Sequence, residues 1–167
     1  LRTTDGGATY GQVAKLTASD ASLFDGFGKS VAIDGNTIVV GADGAGTGGA
    51  VYLFRTTNGG ATYNLVAKLT ADDAAAGDGF GISVAIDGGT VVVGAYVKVG
   101  ATSGADGAVY VFRTTDGGAT YVQVAKLTAS DVAASDYYLI SGFSIPTPDD
   151  RFGFSVAIAG DTIVAGA

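Results

Sequence analysis

His, Cys and Glu are absent from all 167 residues, so acid, base and nucleophile chemistry can come only from Asp, Lys, Tyr and Ser. All 16 acidic side chains are aspartates. Asp72, Asp73 and Asp78 form a tight group, with Asp20 and Asp25 at matching places upstream and Asp149 and Asp150 downstream. Clustered carboxylates are what calcium takes as ligands, which makes these three the candidates for a weak calcium site between repeat units. They lack the Dx[DN]x[DN]G loop, however, and Asp equally ends strands and closes turns through its own backbone, the simpler reading here. Lys15, Lys68 and Lys126 recur at one repeat position, as do Ser30, Ser83 and Ser155. Side chains demanded by a repeat are expected to be structural. The lysines are expected to guard an outer sheet edge, and the serines to satisfy backbone groups near a Phe-Gly turn. No unique set of converging polar groups can be named, so the expectation is a noncatalytic chain without a cofactor, calcium lacking a ligand loop.

The net charge of −7 comes with nine Lys and Arg placed singly, which gives phosphates no surface to collect on and argues against nucleic acid as a partner. The apolar run from Ile38 to Ala42 is far short of the ~20 residues a membrane-spanning helix needs. The chain starts at Leu1 without a basic and apolar leader, and is read as a processed product or a segment of something longer. The absence of Cys fits a reduced cytosolic chain and a disulfide-free secreted one equally.

The elements that must carry these residues are set by an internal repeat. Phe27-Gly28 returns as Phe80-Gly81 and Tyr10 as Tyr63, each after 53 residues. The spacing lengthens to 58 residues from Tyr63 to Tyr121 and to 72 from Phe80 to Phe152, the extra length falling between strand-like runs. Each unit holds four apolar runs, the first pair joined by Asp34-Gly35 or Asp87-Gly88, a hairpin signal, with Ala159-Gly160-Asp161 as a variant. Strands are expected over 29–33, 37–42, 50–56 and 62–69, and again over 82–86, 90–95, 108–114 and 120–127. The third run, Val51-Tyr52-Leu53-Phe54, is apolar on both faces and reads as buried. The fourth alternates Tyr63, Leu65, Ala67 and Leu69 with Asn64, Val66 and Lys68, an edge strand wetted on one side. Four antiparallel strands in about 50 residues describe a β-propeller blade.

The fold class is therefore all-β, with four-stranded antiparallel propeller blades. About three blade-equivalents are present, and they are expected to belong to a larger propeller, of which seven blades is one form. The division is a half blade over 1–24 supplying strands three and four, a blade over 25–77, a blade with insertions over 78–149, and a half blade over 150–167. Phe27, Phe80 and Phe152 are expected to be buried between blades, and Tyr10, Tyr63 and Tyr121 to pack within them.

The residues resemble the FG-GAP repeat, the blade unit of integrin α-chain propellers and of many bacterial and algal surface proteins. The resemblance is carried by Asp25-Gly26-Phe27-Gly28-Lys29-Ser30, Gly41-Ala42 and Gly49-Ala50-Val51-Tyr52-Leu53-Phe54. Second copies run from Asp78-Gly79-Phe80-Gly81, through Gly94-Ala95, to Gly107-Ala108-Val109-Tyr110-Val111-Phe112, and a third begins at Phe152-Gly153 and ends at Gly166-Ala167. The Pro of the family name is missing, since Asp43 and Tyr96 follow the two complete Gly-Ala pairs. Many relatives place an Asp-rich calcium loop between the first two strands; here that place holds a tight hairpin too short to bring six to eight oxygens together. The resemblance implies an extracellular or cell-surface interaction or adhesion module. Protein or an extracellular polysaccharide would be the partner, with further blades or other chains as neighbours. The alternatives are a carbohydrate-binding propeller or an accessory propeller of a larger enzyme.

Connectivity suggests where a partner would sit. In an up-and-down blade the loop between strands two and three and the connection from strand four to the next blade emerge on one face. The two insertions fall in those connections, within 96–107 and 132–148. Tyr96, Lys98, Tyr137, Tyr138, Leu139, Ile140 and Phe143 are the partner-binding candidates, with Ile145 in the same apolar set. Packing over the blade rim, or contact with a further blade, is the alternative role for the longer one.

Overall fold

The computed structural model describes residues 1–97, 107–129 and 151–167, together with the backbone of Tyr137–Ile140 and Phe143–Pro146. Two sheets of four antiparallel strands carry the fold. The first has the order β1 (Ser30–Asp34), β2 (Thr37–Ala42), β3 (Ala50–Arg55), β4 (Asn64–Leu69). The second repeats it as β5 (Phe80–Asp87), β6 (Thr90–Ala95), β7 (Ala108–Arg113), β8 (Val122–Leu127). A backbone hairpin follows, β9 (Tyr137–Ile140) with β10 (Phe143–Pro146), inside the longer insertion, where the repeat pattern gave no reason to expect strands. The last pair is β11 (Ser155–Ala159) with β12 (Thr162–Gly166). No helix occurs among the described residues.

Register repeats as closely as sequence. Ser30 faces Gly41, Ser83 faces Gly94 and Ser155 faces Gly166. The first hairpins turn on Gly35-Asn36 and Gly88-Gly89 rather than on Asp-Gly, because Asp34 and Asp87 still pair with Thr37 and Thr90 as the last strand residues. Gly35 and Gly88, at φ +51° and +57°, take the first place of the primed turn, where glycine is needed. β3 is buried along Ala50 to Phe54, as its two apolar faces require. In β4 a bulge shifts register, pairing Leu53 with Ala67 but Phe54 with Leu65. The alternation expected of that strand breaks there: Leu65, read with the inward set, is exposed like its neighbour Val66, and only Leu69 is buried.

The core lies between consecutive blades. Val39, Val51 and Leu53 of the first sheet pack with Phe80, Val84, Val91, Val93, Tyr110 and Phe112 of the second. Phe80 is fully buried, its ring edge-on to Tyr110 at 5.5 Å and Phe112 at 5.9 Å. Phe27 and Phe152 are only half-buried, which corrects the expectation for them. Phe27 meets Tyr52 and Phe54 of its own blade, but no complete described sheet precedes it. Phe152 belongs to a unit whose described part is two strands. The same difference separates Val84, 8% exposed, from its equivalent Val31, 67% exposed. Residues 12–16 carry a strand-four sequence but form no bridge, and the one strand-like backbone pairing inside the N-terminal half blade joins Arg2 to Gly11. Tyr10 is 62% exposed rather than packed, while Tyr63 and Tyr121 are half-buried.

Candidate functional site

Three kinds of contact fasten consecutive units, all three joining the first complete blade to the second, and so fix the loops that the blades present. The Ser30 hydroxyl donates to the Gly81 carbonyl at 2.8 Å, and Ser83 donates to Gly153 at 2.7 Å. Ser30 and Ser83 thus satisfy backbone at the following Phe-Gly turn, as expected of the repeated serines. The Gly88 N–H donates to the Asp34 carboxylate at 2.7 Å, and the Gly160 N–H to Asp87 at 2.5 Å. At the far hairpins Arg2 donates to the Gly59 carbonyl and Arg55 to that of Gly117. The glycine before each Gly-Ala alanine is needed for this approach: a Cβ on Gly41 would lie 2.0 Å from the Gly81 oxygen, and one on Gly94 1.8 Å from the Gly153 oxygen.

The repeated aspartates and lysines are fasteners of the same kind. Asp20 accepts from the Tyr52 hydroxyl at 3.0 Å and the Lys68 ammonium at 2.5 Å, and that ammonium sits 5.2 Å from the Tyr52 ring centroid. One repeat later Asp73 accepts from Tyr110 and from Lys126, both at 2.7 Å. The Lys68 hydrogen bond, followed by that of Tyr52, holds the Asp20 carboxyl below its ordinary range, and the bond to Asp20 raises the Lys68 ammonium. Burial, then the hydrogen bond to Asp73, pushes the Tyr110 phenol far up. Lys68 and Lys126 therefore do not simply guard an edge; they reach back to the preceding unit's connection. Asp78 is 3% exposed and accepts the Ala75 N–H at 2.8 Å, as Asp25 accepts that of Ser22 at 2.6 Å. Asp72 is exposed, and its own N–H donates to Gln123. Among the described residues no three acidic side chains come together as a metal site. Asp149 and Asp150 lie outside the described residues.

The loop between strands two and three and the connection into the next blade lie together. Phe80 N–H donates to Gly48 at 2.9 Å, Gly49 bridges Phe80 in parallel, and Gly44 N–H donates to the Asp25 carbonyl at 3.1 Å. In the second unit, Val97 N–H donates to the Asp78 carbonyl at 3.1 Å, and Gly107 bridges Phe152. Both ends of the shorter insertion are thus tied to connection residues. Tyr96 stands edge-on to Phe154 at 5.8 Å, with the Arg151 guanidinium 5.8 Å from its ring centroid, so this candidate already contacts the third unit. Lys98 lies outside the described residues. So do the side chains of Tyr137, Tyr138, Leu139, Ile140 and Phe143, whose backbone forms β9 and the start of β10.

The paired Phe-Gly and Gly-Ala contacts recur where a family model described as FG-GAP repeat matches the chain, over residues 10–54, 63–112 and 146–167. The chain belongs to the FG-GAP repeat family. No curated protein matches it. FG-GAP repeats are typical of extracellular adhesion and interaction modules, and the family is generally noncatalytic. Among the described residues of this FG-GAP chain no helix is long and apolar enough to cross a membrane.

Two residues on the loop face escaped the sequence reading. Phe24 has φ +71° and is 87% exposed, and Leu23 beside it is 82% exposed. The repeat puts Gly77, at φ +84°, where Phe24 stands, and Ala76 where Leu23 stands. Those equivalents are exposed too, although a complete blade lies on either side of the connection that carries them. The FG-GAP backbone asks for glycine here and receives a bulky aromatic. Arg151, at φ +49°, likewise replaces the glycine found at Gly26 and Gly79. A residue-by-residue match of the units at glycine positions marks Phe24 and Arg151.

Proposed function

We propose that this FG-GAP segment is a noncatalytic, extracellular or cell-surface β-propeller module. It binds a protein or an extracellular polysaccharide through the face formed by the strand-two-to-three loops and the blade-to-blade connections. The observation that carries the reading is Phe24. A non-glycine residue in the left-handed region costs about 1–2 kcal/mol, and backbone strain of that kind concentrates at ligand-contacting sites. Here it presents an aromatic ring and the adjacent Leu23 to solvent on a framework held by the interblade contacts. Apolar anchors on a rigid rim are the groups that dominate binding energy. Tyr96 and the two insertions lie in the same set of connections and would extend the surface.

The test is binding of the intact chain to a glycan array and to a panel of immobilised extracellular matrix proteins, repeated with Phe24→Gly. The reading expects a ligand whose affinity falls at least tenfold in that variant while the fold is kept. Binding unchanged in Phe24→Gly and in a variant with residues 132–148 shortened to the connection at 74–77 would move the site to another face.

A further inference from the structure

The hairpins between strands three and four end in one motif: Thr3-Thr4-Asp5-Gly6-Gly7, Thr56-Thr57-Asn58-Gly59-Gly60 and Thr114-Thr115-Asp116-Gly117-Gly118. Only the middle one has Asn in place of Asp. The geometry points to Asn58 as a site of covalent self-modification: we infer that the Asn58–Gly59 pair deamidates within the folded protein and leaves an aspartate at position 58.

The reaction needs an uncrowded backbone nitrogen after the Asn, a polarised side-chain carbonyl and a place for the product. Asn58 and Gly59 are exposed, and a Cβ on Gly59 would meet nothing within 4 Å. Three neighbouring amides are engaged: Asn58 N–H and Gly60 N–H both donate to the Thr56 hydroxyl, at 3.3 and 2.8 Å, and Thr62 N–H donates to Asn58 Oδ1. Asn58 Oδ1 accepts two donors, the Thr56 hydroxyl and the Thr62 N–H, each at 2.9 Å. Those donors stand where negative charge develops when Gly59 N adds to Cγ, the arrangement that stabilises a tetrahedral oxyanion. Asn58 Nδ2, the leaving group, donates to the Thr62 hydroxyl at 2.8 Å. In the step, the Gly59 N–Cγ bond forms and the Cγ–Nδ2 bond breaks. The nitrogen departs as ammonia, carrying the proton from Gly59 N. Water then opens the cyclic imide. Attack at Cγ returns an ordinary Asp; attack at the Asn58 main-chain carbonyl carbon gives isoaspartate. The donors that polarise Oδ1 favour attack at Cγ.

The product site is already built twice in the same chain. Asp5 accepts the Thr3 hydroxyl at 2.6 Å, the Thr9 N–H at 2.9 Å and the Thr9 hydroxyl at 2.5 Å. Asp116 does the same with Thr114 and Thr120. Side-chain hydrogen bonds, from Thr3 first and from Thr120 first respectively, hold both carboxyls far below their ordinary range. An aspartate at position 58 needs only the Thr62 hydroxyl to turn from accepting to donating. The Arg2 guanidinium donates to the Gly59 carbonyl, as Arg55 does at Gly117 beside Asp116, so the new charge arises next to a cation from the preceding unit. Deamidation makes the three tips alike and strengthens the tie between the N-terminal half blade and the first complete one.

The experiment incubates the intact chain in buffers from neutral to mildly alkaline pH and follows residue 58 by peptide-mapping mass spectrometry. Isoaspartate is scored with an isoaspartyl methyltransferase. Expected are conversion at Asn58 with Asn36 and Asn64 intact, Asp in excess of isoaspartate, and several-fold slower conversion in Thr56→Val. Asn58→Asp, the finished product, should fold normally and fail to react, which separates loss of reaction from loss of fold. Asn58 left intact over a period that converts the excised hairpin peptide would overturn the inference, as would isoaspartate as the main product or an unchanged rate in Thr56→Val.

Discussion

Gly94→Ala tests the interblade fastening at its tightest point. The added Cβ would lie 1.8 Å from the Gly153 carbonyl oxygen, 2.3 Å from the Ser83 hydroxyl and 2.8 Å from the Gly153 carbonyl carbon. Two of the three are backbone atoms, so the methyl cannot be accommodated by a rotamer change, and the third unit's Phe-Gly turn must move away by more than an ångström. That displacement breaks the Ser83-to-Gly153 hydrogen bond, worth about 0.5–1.5 kcal/mol, and forces the kind of overpacking that costs about 1–3 kcal/mol. Together these cost about 1.5–4.5 kcal/mol. Gly41→Ala, with the Gly81 oxygen at 2.0 Å, should lose a similar amount. Gly166→Ala is the internal control, because among the described residues its Cβ meets only the Ser155 side chain, at 2.4 Å and 3.8 Å, and that group can rotate. Urea unfolding followed by circular dichroism reads all three, with Ser83→Ala isolating the hydrogen-bond share. Equal, small midpoint shifts for Gly94→Ala and Gly166→Ala would refute the claim that Phe-Gly and Gly-Ala interlock between blades.

Phe24→Gly should raise the thermal midpoint or leave it unchanged, since relief of about 1–2 kcal/mol of left-handed strain exceeds the entropy cost of glycine; a clear fall in a melting scan would show that the ring packs against the protein. Phe80→Ala should cost about 3–5 kcal/mol in the same urea assay, and Phe27→Ala and Phe152→Ala distinctly less because those rings are half-buried; three equal losses would contradict the packing. Tyr52, Tyr110 and Lys68 have folded pKa values above their ordinary ones, so their stabilisation is complete below about pH 10 and is lost as pH rises through the folded values. Urea midpoints should therefore drop above about pH 10, less steeply in Tyr110→Phe; a flat profile would remove the Tyr–Asp–Lys ties from the account. Asp5, Asp20 and Asp116 are shifted down, so their share is present above about pH 4 and fades as pH falls through the folded values, visible as an acid-side loss in the same titration.

The blade could be read in advance because its signals are local. Gly35 and Gly88 announce the first hairpins, and Val51 to Phe54 can only be a strand buried on both faces. The contacts that join blades are not local, and there the reading stopped at residue type. Asp20 and Asp73, Tyr52 and Tyr110, Lys68 and Lys126 were visible as repeats, but period alone does not reveal that an Asp of one unit meets the Tyr and Lys of the next. Alternation misplaced Leu65 because a bulge changes which residues share a face, and hydropathy carries no mark of a bulge. Phe24 was passed over for a different reason: it is an unremarkable loop residue until the backbone shows that its place belongs to glycine.

The most direct test of the binding-face claim is hydrogen–deuterium exchange of the intact chain with and without the tightest ligand found on the glycan array or the matrix-protein panel. The account predicts protection confined to residues 20–27, 43–49 and 71–79 and to the two insertions, with the hairpin tips at 56–62 and 114–120 exchanging as in the free protein. Protection at those tips with the loop face unchanged would contradict it.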